Sequence, residues 1–134
     1  MSKLYLSDIL EFLKNSNLFN KYGVGYLNSN VEKYLGIYDR QDNSQEDFYI
    51  GDCSKTRKVE LLVHGTKNYD ETEKLAEELQ EFLKENERTV IAGKNCLFTL
   101  YDGSTDLARD GNGIFERDVI LDINYDGGNA YGEN

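Results

Sequence analysis

The chain has 134 residues, the size of one domain, and its 39% hydrophobic and 30% charged residues are an ordinary balance for a globular protein. Its 25 acidic and 15 basic residues give a formal charge of −10, which argues against tight binding of nucleic acid, because such binding needs Lys and Arg at phosphates. The charge also argues against adhesion to anionic membranes, and no apolar run approaches the ~20 residues of a membrane-spanning helix.

The first predicted element is a short helix over residues 7–17, which Ser7 or Asp8 can cap. The start shows no signal-peptide pattern, so we expect a protein that stays in the cytoplasm where it is made. The next stretch, "NKYGVGYLNSN", breaks the helical pattern and is expected to be a loop. Its Gly-Val-Gly lacks the third glycine and the preceding strand of a dinucleotide-binding motif, so no nucleotide cofactor is expected.

Residues 31–39 and 57–66 are rich in β-branched and aromatic residues and are predicted to be strands. Val59, Leu61 and Val63 share one face of the second strand. His64 lies on its other face, where a lone histidine is expected to be a surface or hydrogen-bonded residue.

The segment between these strands, residues 40–56, is long and polar but contains Phe48, Tyr49 and Ile50. Long loops inside compact domains tend to be functional. We therefore interpret these three residues as the tip of an arm that contacts a partner. Cys53, also in this segment, and Cys96 match no metal-ligand spacing and are predicted to be free, mostly buried thiols.

The clearest helix is "YDETEKLAEELQEFLKENER", residues 69–88, with Asp70 as the expected N-cap. Its apolar stripe is expected to face Val59, Leu61 and Leu121 of the sheet, and the stripe consists of Leu75, Ala76, Leu79, Phe82 and Leu83. The opposite face is acidic, which is typical of a solvated face, with contact to a basic neighbour as the alternative. After this helix, "VIAGKNCLFTLYDG" predicts one or two strands around Gly93-Lys94; it lacks the glycine and Ser or Thr of a P-loop.

The last stretch, "DLARDGNGIFERDVILDINY", residues 106–125, could be a calcium loop or a turn that leads into a strand. No register supplies the oxygen positions, the central glycine and the final Glu of an EF-hand. A looser site of Asp102, Asp106 and Asp110 is the alternative. Gly111, Asn112 and Gly113 instead suit a tight turn with positive φ, so we expect no metal.

The run after this turn alternates with period two, which predicts a long, half-buried antiparallel strand. Its outer face carries Glu116, Asp118 and Asp122, which we take as candidate residues of a channel or an interface. The single histidine has no neighbouring Ser or Cys nucleophile motif, which argues against an enzyme, and no catalytic residue is assigned.

Two helices and four or five strands predict an α+β fold with a largely antiparallel sheet. Residues 1–126 are expected to form one domain, and the polar, glycine-rich residues 127–134 a flexible tail.

The order of several segments resembles the tail terminator, or tail completion, proteins of long-tailed bacteriophages, which are also described as minor capsid proteins. The resemblance lies in "DILEFLKNSN", "GYLNSNVEKYLGIYD", "RKVELLVHGTKNYDETEKLAEELQEFL" and "LFTLYDGSTDLARDGNGIFERDVILDINY", and covers about residues 5–125. It implies a structural virion protein, assembled in the host cytoplasm, whose copies form a ring of six. The ring caps the tail tube, stops its growth and joins the head connector.

The resemblance therefore implies four partners: other copies of the chain, the tail tube protein, the head completion or connector protein, and DNA that passes without tight binding. It implies no cofactor. The alternatives are another phage neck or head-to-tail connector component, a small acidic binding module such as an inhibitor or DNA mimic, and an enzyme.

Overall fold

The computed structural model describes residues 3–40, 55–101 and 103–126. These residues form two α-helices, one 3₁₀ turn and seven strands. In chain order the elements are α1 (Leu6–Leu13), the 3₁₀ turn (Lys14–Ser16), β1 (Lys21–Val24), β2 (Tyr34–Asp39), β3 (Lys55–His64), α2 (Tyr69–Glu85), β4 (Arg88–Ile91), β5 (Lys94–Leu100), β6 (Thr105–Arg109) and β7 (Phe115–Tyr125).

The strands form one mixed sheet in the order β1-β2-β3-β7-β5-β4. β1 runs parallel to β2, and the other described pairs are antiparallel. β7 is the central strand: one of its sides pairs with β3 from Lys55↔Tyr125 to His64↔Glu116. Its other side pairs with β6 near its start and with β5 near its end.

Both helices pack on one face of this sheet, and one hydrophobic core joins them to it. The predicted contacts of the main helix are confirmed, because Leu79 lies in the same buried cluster as Val59, Leu61 and Leu121. Phe82 is only partly buried, and its ring lies 5.5 Å from that of Phe12 on α1. The period-3.6 stripe of α2 and the period-two strands thus form the core that the sequence pattern indicates.

The α+β class is confirmed, but the prediction of four or five strands in a largely antiparallel sheet was partly wrong. β1 lies in the stretch expected to be a loop, and β6 lies in the stretch expected to lead only into a turn. β1 has glycine at position 23 for a packing reason: a Cβ there would lie 2.6 Å from the carbonyl oxygen of Tyr26. Its pairing with β2 is a tertiary contact, which local strand propensity does not predict.

The predicted ends of several elements also shift. Asn68, not Asp70, caps α2, because the Asn68 side chain accepts a hydrogen bond of 2.9 Å from the Glu71 N–H. The first helix ends at Leu13 and is followed by the 3₁₀ turn, after which Asn17 takes a positive φ of 58°. The Gly93 region forms a two-residue hairpin, since Ala92 and Gly93 both have positive φ between β4 and β5.

Candidate functional site

The face of the sheet opposite the helices is called here the open face. It carries alternate side chains of β3 and β7, including Glu60 and His64 on β3. The three acids proposed from the sequence all lie on it, at even-numbered positions of β7, and each is half-buried: Glu116, Asp118 and Asp122. The structure therefore brings the predicted acids to one surface, and it gives each of them a different partner.

Glu116 is paired with His64, its direct neighbour across the β3–β7 ladder. One carboxylate oxygen lies 2.6 Å from His64 Nδ1. The imidazole is completely buried, and its Nε2 lies 3.1 Å from the backbone carbonyl oxygen of Ser29 in the β1–β2 loop. This contact ties the loop to the sheet. Of the two expectations for His64, a surface residue or a hydrogen-bonded one, the second is confirmed.

Asp110, in the turn before β7, also reaches His64. Its Oδ1 accepts hydrogen bonds from the N–H groups of Asn112 at 2.8 Å and Ile114 at 3.0 Å, which fixes the turn. Its Oδ2 lies 3.6 Å from His64 Nε2, and Asn112 Nδ2 donates to the Ser29 carbonyl oxygen at 2.9 Å. His64, Asp110, Glu116 and the Ser29 carbonyl are called here the His64 cluster.

No sequence pattern indicates the His64 cluster, because its members come from four separate segments without a common spacing. The trio considered from the sequence does not describe it either. Asp106 accepts hydrogen bonds from the Ala108 N–H and the Tyr69 hydroxyl, and Asp102 lies outside the described residues. In the part of the chain that the structure describes, no hydroxyl or thiol side chain is hydrogen-bonded to His64 as a nucleophile would be.

Asp122 is neutralised by Arg40, which follows β2. Arg40 Nη1 lies 2.8 Å from the carboxylate, and the arginine is 8% exposed. The guanidinium also donates to the Leu121 carbonyl oxygen and to the Tyr101 hydroxyl, and it lies 4.8 Å from the centre of the Tyr101 ring. This pair is a charge-assisted contact in a mostly dry environment.

Asp118 has an acid as its neighbour. It lies diagonally across the ladder from Glu60, which pairs with Ile120. Burial raises the pKa of Glu60 above its ordinary value, and the hydrogen bond and charge of Asp118 raise it further. Asp118 Oδ1 is also buried without a hydrogen-bond partner among the described residues, so this pair of acids is poorly compensated.

The other candidate residues, Phe48, Tyr49 and Ile50, lie outside the described residues, as does Cys53. Cys96 is free and buried, as predicted. Burial raises the pKa of its thiol to about 11.

The profile of the bacteriophage tail terminator protein family matches residues 12–126. The chain belongs to this family. The tail terminator match covers both helices in whole or in part, every described strand and the whole open face. No curated protein matches the chain.

Membership in the tail terminator family gives the chain a structural role in a phage tail and makes it a component of a virion. Two of the acids on the open face, Glu116 and Asp122, are engaged in contacts within the chain. None of the described helices is long and apolar enough to cross a membrane.

Proposed function

We propose that copies of this tail terminator chain form a closed ring that caps the finished tail tube, ends its growth and provides the joint to the head connector. The family match over residues 12–126 is the observation that carries this proposal. The resemblance in sequence implies six copies, and the ring is proposed to sit at the end of the tail nearest the head.

The sheet has several outer strands that suit assembly with other proteins. All five residues of β6 are exposed, and β1 and β4 form the two ends of the strand order. Outer strands present unpaired backbone groups, and natural proteins either shield them or use them for contacts. A chain that meets its neighbours through two different surfaces forms a ring when the rotation between copies closes.

The open face is proposed as a protein interface rather than as the wall of a DNA channel. Glu116 and Asp122 already face His64 and Arg40, and their side chains are only 19% and 22% exposed. Acids that are half-buried and engaged in contacts within the chain repel a passing duplex weakly, because little of their charge is exposed at the surface. Asp118 beside Glu60 is the exception, and a basic group of a neighbouring protein would relieve that pair.

Passing DNA is proposed to meet a surface that does not hold it. The outer side of α2 exposes acids that include Glu77, Glu78, Glu81 and Glu85. These exposed acids and the formal charge of −10 disfavour contacts between the chain and DNA phosphates. A duplex can then pass through the ring without tight binding.

The experiment is to mix the purified chain with purified tail tubes and examine the complexes by electron microscopy and native mass spectrometry. We expect rings of six copies at one end of each tube. Tubes that stay uncapped at saturating concentrations of the chain would contradict the proposal.

The role of the open face is tested in the same assay with Asp118→Lys, because a lysine there can pair with Glu60 and keep the fold. We expect this variant to melt at the wild-type temperature or higher but to cap tubes poorly. The matched control is Glu77→Lys, an equal charge change on the exposed side of α2, which should leave capping unchanged. Equal capping by both variants would remove Asp118 from the interface.

A further inference from the structure

The His64 cluster has an unusual balance of hydrogen-bonding groups. His64 Nδ1 faces a carboxylate oxygen of Glu116 at 2.6 Å. Nε2 faces the Ser29 carbonyl oxygen at 3.1 Å and Asp110 Oδ2 at 3.6 Å. These oxygens only accept hydrogen bonds. If Nδ1 holds its hydrogen toward Glu116, the lone pair of Nε2 points at two oxygen atoms, and that arrangement is favourable only when a cation lies between them.

Asp110 supplies a second, independent observation. Its Oδ1 holds the turn, but its Oδ2 is buried and has no hydrogen-bond partner among the described residues. The separation of 3.6 Å from His64 Nε2 is too long for a hydrogen bond. A buried carboxylate oxygen without a partner is costly, so an unpaired Oδ2 aimed at a ring nitrogen needs an explanation.

The distances fit an ion bound between these atoms. Nitrogen and oxygen ligands lie about 2.0–2.2 Å from a zinc ion, so neighbouring ligands are about 3.0–3.6 Å apart at angles between octahedral and tetrahedral. The two separations from Nε2, 3.1 and 3.6 Å, fall in this range. One ligand atom from each of His64, Asp110 and Glu116 lies within 4.8 Å of the others.

We propose that His64 Nε2, Asp110 Oδ2 and the Ser29 carbonyl oxygen bind a divalent transition-metal ion of the zinc or manganese class, with water in the remaining positions. Glu116 accepts the Nδ1 hydrogen and orients the ring, which is the usual role of a carboxylate behind a metal-binding histidine. An imidazole nitrogen beside carboxylate and carbonyl oxygens suits zinc or manganese, whereas calcium and magnesium take all-oxygen sites. This metal site does not depend on the proposed ring.

The ion would join three parts of the chain at one end of the open face: the β1–β2 loop through Ser29, β3 through His64 and the β6–β7 turn through Asp110. Asn112 already links the turn to the loop, since its Nδ2 lies 2.9 Å from the Ser29 carbonyl oxygen. Binding would therefore stabilise the folded state by mass action and hold the loop against the sheet.

The test is thermal unfolding of the chelator-treated full chain with zinc, manganese, calcium or magnesium, in a Cys53→Ser background that removes a thiol able to bind zinc. We expect a saturable rise of several degrees in Tm with zinc and manganese, and none with calcium or magnesium. Asp110→Asn should abolish the rise, because its amide keeps an oxygen for the turn but offers no charged ligand. Asp106→Asn, an exposed acid in the same hairpin, should retain it.

A second measurement keeps the test informative if Asp110→Asn folds poorly. Manganese added to the wild-type chain should broaden the NMR signals of the His64 ring and of Ser29 at substoichiometric amounts, before those of the acidic side of α2. No Tm rise with either ion would overturn the proposal. Broadening that begins at α2 would overturn it as well.

Discussion

Arg40 and Asp122 form an ion pair of 2.8 Å between the end of β2 and the central strand β7, although 82 positions separate them in the sequence. The arginine is buried, and it also binds the Leu121 carbonyl oxygen and the Tyr101 hydroxyl. Asp122, a candidate residue of a channel or an interface, is thus a structural partner of Arg40. This contact supports the proposal that the open face is a protein interface rather than the wall of a DNA channel.

Removing the arginine should destabilise the fold. Arg40→Met leaves Asp122 half-buried without its cation, and such a loss costs about 3 kcal/mol of unfolding free energy. Urea unfolding measures the change, and adding Asp122→Asn to the variant should recover part of it. Arg88→Met, at an exposed arginine of β4, is the matched control and should change stability by less than about 0.5 kcal/mol. Equal stability of Arg40→Met and wild type would show that the pair contributes nothing.

The core contact of α2 gives a second prediction. Leu79 is 0% exposed and lies in the cluster with Val59 and Leu121, so Leu79→Ala should lower the unfolding free energy by about 2–5 kcal/mol. Glu77→Ala, two positions earlier on the exposed side, should have little effect. Both variants are compared by thermal and urea unfolding, and a wild-type Tm for Leu79→Ala would refute the helix register.

The acid pair on the open face predicts a dependence on pH. Because the pKa of Glu60 is raised in the folded state, folding binds a proton there, and stability falls as pH rises through that raised pKa. Glu60→Gln should therefore raise Tm at pH 7–8, and the gain should vanish well below the ordinary glutamate pKa of 4.5. Glu81→Gln on α2 is the exposed control. A gain that is independent of pH would point to a cause other than the carboxyl pair.

The reactivity of Cys96 gives a fourth prediction. With its pKa raised to about 11, only about a thousandth of this thiol is ionised at pH 8, and the thiolate is the reactive form. In the Cys53→Ser variant the native chain should react with iodoacetamide very slowly, and at the rate of a free thiol in denaturant. Rapid labelling under native conditions would mean that Cys96 is accessible.

Sequence patterns predicted an element correctly where the element has its own hydrophobic periodicity. The stripe of α2 and the alternation of β7 predicted the core through Leu79 and Leu121 because burial follows directly from spacing in regular structure. They failed for β1 and β6, which are short outer strands whose pairing depends on distant partners. The N-cap of α2 is Asn68 rather than the predicted Asp70, since both residue types can accept hydrogen bonds from N–H groups at a helix start.

The candidate site was predictable only in part. Alternation alone placed Glu116, Asp118 and Asp122 on one face. It could not show that Arg40 neutralises Asp122, or that Asp110 and Glu116 converge on His64. Those contacts join residues that are 46 to 82 positions apart and depend on how the sheet and its turns fold.

The most direct test of the account is the length of phage tails made without this chain. In the phage that encodes it, deletion of the gene should yield tubes of uncontrolled length that carry no heads, measured by electron microscopy of lysates. Supplying the wild-type chain in trans should restore uniform tails joined to heads, because the ring would again stop growth and provide the joint. Tails of normal length attached to full heads in the deletion strain would contradict the proposed function.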